Sequence, residues 1–213
     1  MTDPARSERL AYVSAAEEFG AHAATLCDPW DVADLSAHIV LRQSRPDVAG
    51  GIMIPALAGR LERAQKDLAG TDFGALLDKI RSGPPVWSPT RLAPVDEAVN
   101  LIEVYVHTED ILRANGQEPR RLPADVEKAL GRRLRRMGTL MFRKAPVGVH
   151  LEPTGRSSYA VHTPTDLGDV HVTGPVGELL LVAYGRIRVA RVEVTGSDDA
   201  IAALSTAELG LGG

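Results

Sequence analysis

The hydrophobic periodicity of this chain changes once, at Pro146, and that change constrains the fold more than any other feature. Before it, apolar residues recur at helical spacing in one segment after another. Leu10, Val13, Ala16, Phe19 and Ala23 mark a helix over 4–24. Val32, Leu35 and Ile39 mark the buried face of a second, which follows Trp30, is capped by Asp31 and runs to about Ser44. Further helices are expected over 55–68, 73–81, 96–115 and 123–143, the last with proline at its start. The proline-rich stretch 82–89 cannot be helical. After Pro146, short β-like runs at 147–151, 158–162, 170–172 and 192–194 stand between Gly, Pro and Asp turns, with helices over 177–184 and 200–207. The expected fold class is α+β: a helical bundle over 1–145, then a small α+β domain over 146–213.

Composition narrows the function classes. With 44% hydrophobic and 24% charged residues in 213, the chain reads as an ordinary globular protein. A net charge of −4 with few aromatic residues argues against non-specific nucleic-acid binding. No apolar run has membrane-spanning length, so no membrane partner is expected. The opening MTDPARSERLAYV lacks the apolar core of a signal peptide. Cys27 is the only cysteine, so no disulfide framework exists and a cytoplasmic location is expected.

The helix over 96–115 carries the chemistry. Val99, Leu101, Ile102, Val104, Tyr105, Val106, Ile111 and Leu112 make most of its circumference apolar, as in a buried helix. Yet Asp96, Asn100, Glu103, His107 and Asp110 recur at steps of four, three, four and three, which aligns them on one face. Buried polar groups are costly unless satisfied. A divalent metal ion satisfies them directly, taking a carboxylate oxygen from Glu103 and an imidazole nitrogen one turn on from His107. His38, flanked by apolar residues on the second helix, is the expected third ligand, with Asp34 as a carboxylate able to orient its imidazole. Two histidines and one carboxylate leave a coordination position open, the mark of a catalytic metal site.

The plainer alternative is an i,i+4 hydrogen-bonded pair in a polar seam. Glu18 and His22 repeat the spacing and read as surface. His150, His162 and His171 alternate with apolar residues in short strands and read as solvent-facing. Arg132, Arg133, Arg135, Arg136, Arg143 and Lys144 form a basic helix, read as a solvated face. Cys27 reads as a packed thiol and Trp30 and Trp87 as core anchors. Gly50-Gly51 and Gly83 lack the strand and helix that a phosphate-binding loop requires.

The run from Cys27 to His38 has the form C-x-x-W-x-x-x-D-L-x-x-H, and Glu103 to Asp110 has the form E-x-x-x-H with a following Asp. Together these resemble the N-terminal domain of the mycothiol-dependent maleylpyruvate isomerase family, within the DinB-like metal-binding four-helix bundles. The chain is most similar to an actinobacterial branch of that family that carries Arg45-Pro46-Asp47, Ser82-Gly83-Pro84-Pro85, Trp87-Ser88-Pro89 and Pro146-Val147-Gly148-Val149. The resemblance implies a divalent metal, usually zinc, on His38, Glu103 and His107. It implies mycothiol as cosubstrate and a C-terminal domain similar to sterol carrier proteins. The expected activity is a metal-dependent, mycothiol-dependent transferase or isomerase acting on a small electrophile. The alternatives are a metal-dependent hydrolase with Asp110 or Asp34 as base, and a non-enzymatic protein binding a metal or an apolar ligand. Arg60, Arg81 and Arg91 are candidate anion partners near the loops of the bundle.

Overall fold

The computed structural model describes residues 3–44, 58–88, 91–92, 95–97 and 100–210. It is an α+β protein with a four-stranded mixed sheet. The chain divides into two compact units, residues 1–121 and 122–213.

The first unit is helical. Helix α1 (Pro4–Phe19) starts with proline in its first turn, and the Asp3 carboxylate accepts the Arg6 amide proton at 3.1 Å. It ends at Phe19 rather than running to 24, because Gly20 adopts a left-handed φ of 84° and donates its amide to the Ala16 carbonyl. Helix α2 (Val32–Ser44) opens with a reciprocal pair. Asp34 donates its amide to the Asp31 carboxylate at 3.0 Å, and the Asp31 amide faces the Asp34 carboxylate at 3.4 Å. Helix α3 spans Ala58–Ala69 and α4 spans Phe73–Ser82, the latter capped by Asp72 and stopped by Gly83. The expected start of α3 at 55, Gly50-Gly51 and the 45–47 motif lie outside the described residues. Residues 95–97 are helical, and helix α5 runs Leu101–Ala114 before stopping at Asn115-Gly116.

Helix α1 packs on α5, and α2 packs on α3, α4 and α5. Their core includes Tyr12, Val13, Leu35, Ile39, Leu76, Ile80, Val104 and Ile111, all at most 3% exposed. Burying side chains of this size stabilises by about 1.5–3 kcal/mol each before entropy is counted. The Tyr12 hydroxyl stands 2.9 Å from Ser36 Oγ, whose own proton goes to the Val32 carbonyl. At the end of this unit Arg120 reaches back to two buried carboxylates, Glu8 on α1 at 2.8 Å and Glu109 on α5 at 2.7 Å. Its guanidinium also lies 5.5 Å from the centroid of the Tyr105 ring.

The second unit begins with helix α6 (Ala124–Met141). Expectation grouped this helix with the bundle and put the boundary at 145; the compact units instead divide at 121/122. The reason is its apolar stripe. Val126, Ala129, Leu130, Leu134, Gly138 and Met141 are buried, and α6 lies against helix α7 (Val176–Ala183) and strand β2 (Tyr159–His162). Gly138 allows the close approach, since a Cβ there would fall 2.6 Å from Val161 Cγ1. Strands β1 (Gly148–Pro153), β2, β3 (Asp169–Gly174) and β4 (Glu193–Gly196) form the sheet in the order β2-β1-β3-β4. The β1/β3 pair is parallel and the outer pairs are antiparallel. Val149, Leu151, Val170 and Val172 alternate into the core, where the wholly buried α7 packs on β1 and β3. Helix α8 (Asp198–Ser205) is capped by Ser197 and packs on β3 and β4.

Candidate metal centre

Helix α5 aligns the five expected polar residues, but they split into two groups. Asp96 takes a buried ion pair with Arg9 of α1 and a 2.8 Å hydrogen bond from the Asn100 amide. Glu103, His107 and Asp110 form the other group, and His38 of α2 joins them.

Glu103 Oε1 lies 3.1 Å from His38 Nε2 and 3.1 Å from His107 Nε2. The two imidazoles meet edge to face with centroids 5.4 Å apart. The three side chains are only 11–16% exposed. Their ligand atoms all lie within 4.8 Å of one another. The structure therefore brings together the three residues expected from the sequence.

His107 is held from its other side. Its Nδ1 is 2.9 Å from Asp110 Oδ2, and because an ionised carboxylate only accepts, Nδ1 donates there as Nε2 does to Glu103. Asp110 is fully buried and also accepts from the Cys27 thiol at 3.1 Å. Cys27 arrives there on the loop between α1 and α2, which is stitched to α5. The Leu26 amide donates to the Asp110 carbonyl at 3.1 Å, and the Asn115 amide donates to the Ala24 carbonyl at 3.0 Å.

Asp34 does not orient His38 as expected; its carboxylate takes part in the cap of α2. Two neighbours escaped the sequence reading. Arg42 Nε stands 3.3 Å from Glu103 Oε1, and the Trp30 ring lies 5.1 Å from that of His38. Arg42 had a signal: it follows His38 by four residues, so both lie on one face of α2. The Trp30 contact depends on a loop path that periodicity does not encode.

The electrostatics differentiate the two imidazoles. Burial lowers the pKa of His38 and outweighs the hydrogen bond to Glu103. Burial acts the same way on His107, but hydrogen bonds to Asp110, Cys27 and Glu103 overcome it and hold its pKa well above the ordinary value. Glu103 stays well below the usual carboxylate range, because hydrogen bonds from His107 and His38 overcome the opposing effect of burial.

His22 is 91% exposed and bonds to Asp31, a surface residue as read. Arg81 pairs with Asp78 and with Glu17, and Arg91 donates to the Pro84 carbonyl. The side chain of Arg60 lies outside the described residues. A cavity of ≈ 720 Å³ opens among α2, α3, α4 and residues 83–85, and none of His38, Glu103 and His107 lines it. Among the described residues no helix is long and apolar enough to cross a membrane.

No protein-family model and no curated protein matches the chain. Among solved structures it is similar to crystal structures of mycothiol-dependent maleylpyruvate isomerase. The TM-score is 0.56 for a histidine-to-alanine mutant and 0.52 for a second structure. Each is 16% identical, over 90% of this chain and 90% of that chain. At that identity the likeness is one of fold.

Proposed function

We propose that this protein is a metal-dependent enzyme that joins a low-molecular-weight thiol, mycothiol, to a small electrophilic substrate, as a transferase or an isomerase. The observation that carries this reading is the meeting of His38 Nε2, Glu103 Oε1 and His107 Nε2, three largely buried side chains of the first unit. The fold likeness to mycothiol-dependent maleylpyruvate isomerase supports it. In this reading the first unit is a DinB-like bundle and the second a sterol-carrier-like domain.

The donor set fits a divalent ion of the zinc type: two imidazoles and one carboxylate, with one imidazole backed by a buried carboxylate. His38, Glu103 and His107 would hold it. A cation bound there supplies the positive charge that stabilises a thiolate near neutral pH. Glu103 contributes the negative charge that draws a cation in, and Arg42 limits how much of that charge faces outward. With a cation bound, Asp110 would hold the remaining His107 proton on Nδ1 and leave Nε2 as the ligand atom. Trp30 covers one side of His38 and keeps water from that ring. The hydrolytic alternative needs a base open to water; Asp110 is fully buried, and Asp34 is taken up at the start of α2.

The test is metal content of the purified protein beside His38→Ala and His107→Ala, followed by mycothiol titration of the metal-loaded protein and turnover of activated alkenes, epoxides and halides. The reading expects thiol binding that each substitution abolishes, together with the loss of one bound ion per chain. Metal-loaded protein that binds no mycothiol at millimolar concentration overturns it.

A further inference from the structure

The second unit contains a separate meeting of metal-binding side chains. His150 on β1 and His171 on β3 are register partners across the parallel pair, so their side chains emerge side by side on the same face of the sheet. That face carries positions 150, 152, 169, 171 and 173, which are partly exposed and alternate with buried residues. The two rings stack with centroids 4.8 Å apart and planes 10° from parallel. Asp169, two residues before His171, places Oδ2 at 3.4 Å from His150 Nε2 and 3.8 Å from His171 Nε2.

These separations are longer than a good N–H···O hydrogen bond, about 2.7–3.2 Å. They are close to the spacing of two ligand atoms on one tetrahedral zinc ion, about 3.4 Å when each bond is about 2.1 Å. All three ligand atoms lie within 4.8 Å of one another. Behind His171, Glu152 Oε1 is 2.8 Å from Nδ1, and Glu152 Oε2 accepts from Thr173 Oγ1 at 3.0 Å. A carboxylate only accepts, so the proton is on Nδ1 and the Nε2 lone pair is turned to Asp169. Across the sheet Gly148 pairs with Asp169 and Ala160 with His150, so these two register partners carry only small side chains. The tilt that aims both imidazoles at one ion is soft, because the outer torsion of histidine is broad.

We propose that His150, Asp169 and His171 form a second divalent-metal site, of the zinc type, with Glu152 as the residue that orients His171. The ion ties β1 to β3, and its remaining coordination is open to solvent. Nothing in this site depends on the first.

The full-length protein, stripped with chelator, is titrated with zinc, and bound ions are counted by native mass spectrometry and calorimetry. Wild type takes up two ions per chain. His38→Ala/His107→Ala takes up one, and adding His150→Gln and His171→Gln removes it. Glu152→Gln weakens this uptake by about 10–100-fold, as expected for a group that orients a ligand. In the wild-type protein, zinc shifts the side-chain nitrogen resonances of His150 and His171, a readout free of any folding defect in a variant. The proposal falls if zinc leaves those resonances unmoved up to millimolar concentration. It also falls if the His38→Ala/His107→Ala protein binds no zinc, or binds it with unchanged affinity after His150 and His171 are replaced. Loss of the first site alone appears differently, as a wild-type protein with one ion that only the His150 and His171 substitutions remove.

Discussion

His107 is hydrogen-bonded on both ring nitrogens, and that sets its behaviour. Its pKa is held high, which favours the charged imidazolium in metal-free protein, whereas burial favours the neutral form of His38. A metal ligand must give up its proton, so uptake of a divalent ion at this proposed site near neutral pH should release a proton from His107. Calorimetry in buffers of different ionisation enthalpy reads this directly; an apparent enthalpy independent of buffer contradicts it. The same shift governs stability without metal. Because the folded pKa of His107 is raised, its contribution is fully present below the unfolded value and is lost as pH rises through the folded one. Glu103 acts in the opposite sense: its contribution is present above the unfolded value and lost as pH falls through the folded one. Metal-free His107→Gln should therefore show a flatter melting profile on the alkaline side than wild type. Asp110→Asn removes the charge behind Nδ1 and should weaken metal binding at the first site by about 10–100-fold. A competition titration against a chelator measures it, and an unchanged affinity would mean that Asp110 does not tune the ligand. At this scale Glu103 and His107 were legible because helical spacing alone puts them on one face of α5. Asp110 was legible as a polar residue there, but not as the carboxylate behind His107, a role the reading gave to Asp34 on His38. Cys27 was quoted in the motif yet read as merely packed, because its contact with Asp110 depends on a loop stitched to α5.

Among the elements, α5 and α6 mark what sequence pattern can and cannot deliver. The stops and starts of most helices were readable, since glycine, proline and aspartate act locally. The choice of partner was not. The stripe of α6 says that one face is buried but not whether a helix bundle or a helix and strand cover it, and the boundary expected at 145 missed its packing on α7 and β2. Gly138 is the contact that makes this packing close. Gly138→Ala should destabilise the protein by about 1–3 kcal/mol, through overpacking against Val161 that outweighs alanine's better helix propensity. Urea unfolding followed by circular dichroism checks it; a more stable variant would mean that β2 yields easily. The alternation of β1 and β3 was legible too, and so was the solvent side of their histidines. Their meeting was not, because register between strands is set by the fold rather than by either strand's sequence.

For the molecule as a whole, the α+β class was legible from the single change of periodicity, and the likeness in fold to mycothiol-dependent maleylpyruvate isomerase agrees with it. The buried clamp of Arg120 on Glu8 and Glu109 has a practical consequence for anyone dissecting the protein. It lies almost at the end of the first unit, so a fragment trimmed two or three residues too short would strand the Glu8 carboxylate in the interior. Leaving a buried charge unmatched costs about 3–5 kcal/mol, so a 1–121 fragment should withstand more denaturant than a 1–118 fragment by a clear margin. Equal midpoints would show that water reaches Glu8 once the tail is gone. The safe excision point is thus dictated by a side chain that grips backward across more than a hundred residues, and not by where the helices appear to stop.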